Sequence, residues 1–139
     1  MSMFSLFDIS GSALSAQSVR LNTTASNLAN ANSVSSSTEE TYRARQPVFS
    51  TVLHESSGRN EFSAGVEVKG IVESDAPLRR QYQPDHPMAD EEGYINLPNV
   101  NVVEEMANMI SASRSYQSNV EVAETNKQLL MKTLTLGQR

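Results

Sequence analysis

The chain has 139 residues, no cysteine, 38% apolar residues and a formal net charge of −5. One compact domain is the default at this length, disulfides and thiolate metal sites are excluded, and the apolar share falls below the roughly 45–50% of ordinary globular domains. The whole net charge lies in residues 33–98, with eleven acids against six bases, while the segments on either side each sum to zero. No basic face offers itself to nucleic acid, and neutral ends do not repel copies of themselves.

Met1 to Phe7 is short and apolar, with Met3, Phe4, Leu6 and Phe7. It reads equally as a chain end that packs locally or as an uncleaved docking or export segment, since the basic region and long apolar stretch of a cleaved secretory signal are lacking. Phe7, Leu14, Leu21 and Leu28 then follow at intervals of seven. This spacing predicts a helix with a thin apolar line beside a face of small residues, Gly11, Ser12, Ala13, Ser15, Ala16 and Ser18. Such a helix buries little area and is weak alone. Asn27, Asn30 and Asn32 suit its C-terminal end, because Asn tolerates a left-handed residue there.

Ser33 to Thr41 reads as a flexible polar loop. All five prolines fall between Pro47 and Pro98, so the middle is rich in turns. Pro47–Leu53 and Gly65–Val72 read as strands; the second alternates Val66 and Val68 with Glu67 and Lys69, and Gly70 is its candidate bulge. Leu78–Gln83 is a third strand and Tyr94–Leu97 a short extended piece, with turns at Pro84–Pro87 and Asp90–Gly93.

The last forty residues organise the chain. No Gly or Pro interrupts Asn99–Leu136. Val102, Met109, Tyr116, Ala123 and Leu130 are seven apart, and Met106, Ser113, Val120, Lys127 and Leu134 form a second such row. Two rows make a narrow stripe, as on a helix that pairs with other helices, although an amphipathic core helix has the same period. The helix would span about 50 Å, against about 30 Å for a domain of this size. It therefore projects or finds partners outside. The expected architecture is α+β: long N- and C-terminal helices (1–32 and 99–139) forming a coiled-coil-like unit, with a small, irregular β-rich middle (33–98) inserted between them.

Catalytic signals are weak. His86 has Asp85 and Asp90 nearby, but neighbours on a Pro-flanked turn seldom converge on one ion. Asp90, Glu91 and Glu92 read as a solvated turn rather than a general acid/base pair. Arg79-Arg80 could meet an acidic partner, or simply alternate in exposure along a strand. There is no Gly-x-Ser-x-Gly elbow, no phosphate loop and no run long enough to span a membrane. No catalytic, cofactor or metal site is expected.

The runs Phe7–Gln17 and Ala25–Ala31 resemble the N-terminal signature of bacterial flagellar axial proteins. Pro87–Asp90, Gly93-Tyr94, Pro98–Val100, Ser111–Gln117 and Lys132–Leu136 narrow the resemblance to the proximal-rod family of flagellar basal-body rod proteins, across nearly the whole chain. The resemblance implies a structural subunit of the basal-body rod, in the periplasm. Such subunits leave the cytoplasm unfolded through the flagellar type III export apparatus. They polymerise into a hollow tube whose inner wall is made of paired terminal helices. The implied partners are copies of itself, other rod proteins, the membrane-ring base and the export apparatus. The expected assembly seam is Phe7, Leu14, Leu21, Leu28, Val102, Met106, Met109, Tyr116, Val120, Ala123, Leu130 and Leu134. Two other classes fit the residues alone. One is a helical adaptor or secretion chaperone with an intramolecular helix pair. The other is a small hydrolase using Asp90, Glu91 or Glu92.

Overall fold

The computed structural model describes residues 3–55 and 62–137. Parts of the stretch between the expected strands Pro47–Leu53 and Gly65–Val72, and of the Met1–Phe7 segment, fall outside them. The order of elements is α1 (Met3–Asn30), β1 (Arg45–Glu55), β2 (Phe62–Glu73), β3 (Arg79–Tyr82), β4 (Tyr94–Leu97) and α2 (Val102–Gly137). Two long terminal helices thus flank a strand-rich middle, an α+β arrangement.

At 1.5 Å per residue the 28 residues of α1 span about 42 Å and the 36 of α2 about 54 Å. Asn101 starts α2 by accepting the Val103 and Glu104 N–H groups on Oδ1. Glu104 and Glu105 lie in the first turn, where an exposed acid such as Glu104 suits the positive end of the helix dipole. The helices are antiparallel: Arg20 donates to Asn108 Oδ1 at 3.0 Å, and Thr24 and Asn27 lie beside Glu105. The end of α1 closes differently from expectation. No described non-glycine residue has a positive φ. The Ser33 N–H instead bonds to the Asn30 carbonyl at 3.0 Å, and the Ser33 hydroxyl donates to the same oxygen at 2.8 Å. With that carbonyl satisfied twice, no left-handed residue is needed.

Among the described residues the middle forms two separate two-stranded sheets. β1 and β2 form a long antiparallel hairpin. Val48 pairs with Gly70 and Phe49 with Val68, so Lys69 is the extra residue of a bulge beside Gly70. The hairpin lies against α1, where Ser12 Oγ donates to the Ile9 carbonyl and accepts the Val66 N–H at 3.2 Å. β3 and β4 pair from Arg79↔Leu97 to Tyr82↔Tyr94. Gly93, at φ +81°, makes the turn before β4, and a Cβ there would come within 3.0 Å of the Tyr82 ring.

The Ser33–Thr41 loop is braced rather than loose. Ser35 and Asn96 exchange both backbone bonds, at 3.1 and 3.0 Å, and the Thr41 hydroxyl donates to the Ser37 carbonyl at 2.7 Å. Its serines and threonines satisfy the backbone locally, which a reading of polar composition cannot distinguish from solvation. Among the described elements α2 packs along α1 alone, whereas α1 also carries the hairpin.

Candidate functional site

Two regions carry the molecule's organisation: a junction, where the ends of the helices meet the strands, and the helix pair leading away from it. At the junction, Asn27 is 1% exposed. Its Oδ1 accepts both the Tyr42 hydroxyl and the Arg45 N–H at 2.9 Å, and its Nδ2 donates to the Arg45 carbonyl at 2.8 Å. One amide therefore fastens α1 to the start of β1. Asn99 does the same for the entry to α2. It accepts the Ala44 N–H at 2.8 Å and donates to the Ser74 and Ala76 carbonyls at 3.2 and 2.8 Å. Between these amides lies a small core of Ala31, Ala44 and Val100, with Tyr42 packed on it. Arg79 donates to the carbonyls of Pro98 and Ala31. Burial raises the Tyr42 phenol above its ordinary value, the Arg45 charge beside it opposes this, and Glu105 and Glu73 add to it. The phenol therefore stays a donor to Asn27.

Of the three acidic-turn candidates, Asp90 and Glu92 take part in contacts within the turn. Asp90 Oδ1 accepts the N–H groups of Glu92 and Tyr94, at 3.0 and 2.8 Å. Arg80 reaches Asp90 Oδ2 at 2.9 Å and Glu92 at 3.6 Å and lies over the Tyr94 ring. The Tyr94 N–H, more than any other group, holds the Asp90 carboxyl below its usual range, with Arg80 helping. A general acid needs the opposite shift. Arg80 thus meets its acids within the chain. His86 Nδ1 accepts the Met88 N–H at 3.1 Å. Among the described residues no three His, Asp or Glu side chains converge as a metal site would require. A hollow of about 730 Å³ is lined by Ser33, Thr38, Glu39, Glu40, Arg43 and other residues of the braced loop and hairpin base.

Along the helix pair the interface is small and polar. On α2 the buried residues are Glu105 and Ala112; Asn119 and Asn126 continue the same row at intervals of seven, half-buried. On α1, Ser10, Thr24 and Asn27 are buried and Gln17 is half-buried. Gln17 Oε1 and Asn126 Nδ2 are both enclosed without a hydrogen-bond partner.

The apolar rows divide: Met109, Ala123 and Leu130 share the burial of Asn119 and Asn126, while Met106, Val120 and Leu134 turn outward. Phe7, Leu14, Leu21 and Leu28 are all half-buried, as are Met109, Ala123 and Leu130. Val102 is exposed to 40%, Met106 to 52%, Tyr116 to 37%, Val120 to 40% and Leu134 to 58%. Val103, Ile110, Val122, Leu129, Met131 and Leu136 are exposed as well. So much apolar surface along one helix is far more than the scattered single residues that need no explanation. The row Glu105, Ala112, Asn119, Asn126 escaped the sequence reading because no member is a large apolar residue. The seven-residue spacing from Ala112 was its only signal.

Two family descriptions match the chain. Residues 7–35 match the family described as Flagella basal body rod protein, and residues 91–136 match Flagellar basal body rod FlgEFG protein C-terminal. Over 138 residues the chain is 53% identical to the flagellar basal-body rod protein FlgC of Yersinia enterocolitica and 51% identical to that of Salmonella typhimurium, covering 99% of this chain and 100% of each relative. The FlgC protein of Buchnera aphidicola from Acyrthosiphon pisum is 43% identical over 140 residues, again 99% of this chain and 100% of the relative.

Proposed function

Because the chain belongs to the FlgC family of flagellar basal-body rod proteins, and so is a structural subunit of that rod, we propose that its helix pair is the polymerising part. In this reading residues 1–32 and 99–139 form the inner-tube unit and residues 33–98 an outer unit. Copies of the chain and other rod proteins cover the outward apolar rows. The subunit reaches the rod through the flagellar export apparatus, contacts the membrane-ring base, and performs no catalysis.

The observation that carries this is the mismatch between the seam and the rows beside it. The seam inside the chain uses Glu105, Ala112, Asn119 and Asn126, while Met106, Val120 and Leu134 face outward. A helix that served only its own chain would turn its apolar row inward. Facing helices from neighbours would remove this surface from water at roughly 25 cal/mol per Å². A permanently monomeric adaptor would leave it exposed.

Val120→Asp and Leu134→Asp test the seam, because each places an unpaired charge where the neighbour's helix would dock, at a cost of several kcal/mol per copy. Both side chains are exposed in the single chain, so folding is expected to persist. The expected result is normal cellular level with loss from purified basal bodies. Glu121→Lys, a change at an exposed charge, is expected to assemble normally. Full incorporation of both aspartate variants would remove these rows from the interface.

A further inference from the structure

Glu105 is 6% exposed and sits at the head of the α1–α2 seam. Neither oxygen belongs to an ion pair among the described residues, although two arginines line the same groove of about 370 Å³. Each arginine is engaged elsewhere. Arg20 on α1 gives its guanidinium to Asn108 Oδ1, and Arg45 on β1 bridges to Glu73 at 3.1 Å across the hairpin. The groups that face the carboxylate are Thr24 and Asn27 on α1. Glu104, next to it on α2, repels it, and the Tyr42 phenol feels its charge from the loop before β1. Asn27 has one amide hydrogen left for it, since its oxygen accepts twice and its other N–H goes to Arg45, and with Thr24 it eases the charge without supplying a counter-ion.

We infer that Glu105 is a pH-sensitive wedge in the helix pair: ionised, it holds the junction end of the seam below its best stability, and protonated, it lets α1 and α2 close. A buried charge without a counter-ion is the costly form and the neutral acid the cheap one. Burial, the largest influence, together with Glu104, raises the Glu105 carboxyl above its ordinary value; Asn27, Thr24 and Arg20 oppose this. The sign follows from proton binding. Between the unfolded and folded values the folded chain holds a proton that the unfolded chain has lost. Stability therefore falls as pH rises through that window, and the full penalty remains above it.

The test compares thermal midpoints of the full chain, wild type and Glu105→Gln, from pH 4 to 8. Gln keeps the shape and removes the charge. Its midpoint is expected to lie on the order of 4 °C above wild type at pH 7.5, with the gap closing toward pH 4 as Glu105 takes up its proton. Comparing variants at each pH cancels the titrating groups that do not sense Glu105, and of those that do, Tyr42 does not titrate between pH 4 and 8. A gap independent of pH, or a less stable Gln variant at pH 7.5, would overturn the inference. Should Glu105→Gln fail to fold, carbon-13 titration of the wild-type carboxyl decides. A midpoint above the roughly 4.3 of free glutamate supports the wedge, and one at or below it refutes it.

Discussion

The junction and the far half of the helix pair are built on opposite plans. At the junction the amides that tie helices to strands are fully engaged: Asn27 and Asn99 each make three hydrogen bonds, all at 3.2 Å or less, and the exceptions nearby are the enclosed Asn96 Oδ1 and the Glu105 carboxylate. Along the far half, Gln17 and Asn126 carry enclosed atoms without partners, and Val120, Leu129, Met131 and Leu134 stand in water. The first region is tied together by hydrogen bonds within one chain. The second has the composition of an interface whose other side lies elsewhere. The difference shows that exposed apolar surface is most informative where the same molecule demonstrates, a few turns away, that it can finish a packing arrangement.

The contrast is most easily broken at Asn27. Asn27→Ala removes the acceptor for the Tyr42 hydroxyl and the Arg45 N–H and the donor to the Arg45 carbonyl. Orphaned buried groups cost about 1–3 kcal/mol each. A loss of about 3 kcal/mol in urea-unfolding stability is expected, and a loss below about 1 kcal/mol would mean that the junction is held by something other than its amides. At the far half, Asn126→Leu should act the other way. It removes an enclosed donor without an acceptor and adds apolar contact against α1, so a gain of about 1 kcal/mol is expected by the same measurement. Destabilisation would show that this amide has a partner after all. The smallest effect belongs to Leu134→Ser, which should shift the stability of the isolated chain by less than about 0.5 kcal/mol, because its side chain touches little inside the molecule. A larger change would place Leu134 in the chain's own core.

Much of this arrangement is legible in the residues. The absence of Gly and Pro between Asn99 and Leu136 fixes α2 almost to its ends, and the alternation around Val66 and Val68 fixes β2. Gly70 marks the bulge within one residue. Which face of α2 turns inward is not legible from hydropathy. Periodicity finds the most apolar face, and here α1 docks on a neighbouring row of small and polar residues. The asparagines were also misleading. Asn27 lies near a helix end, where a cap is the local explanation, but its function depends on Tyr42 and Arg45, whose approach only the tertiary fold determines. The Ser33–Thr41 loop conceals its order for a similar reason, because its anchor, Asn96, lies some sixty residues away in sequence.

One consequence concerns the time at which the parts of the chain become available. The tie between Arg20 and Asn108 spans 88 residues, and α2 is the last element in the chain. While the polypeptide is being made, α1 emerges first and has no helix to pair with until the strands and then α2 have followed. Closing a loop of that length costs about 4 kcal/mol in chain entropy, and the polar seam offers little to repay it. The hairpin can form against α1 beforehand, since both precede α2 in the chain, but a two-stranded sheet on a single thin-striped helix is marginal. Chain order thus keeps the nascent polypeptide open for longer than a sequence with a strong early core would allow.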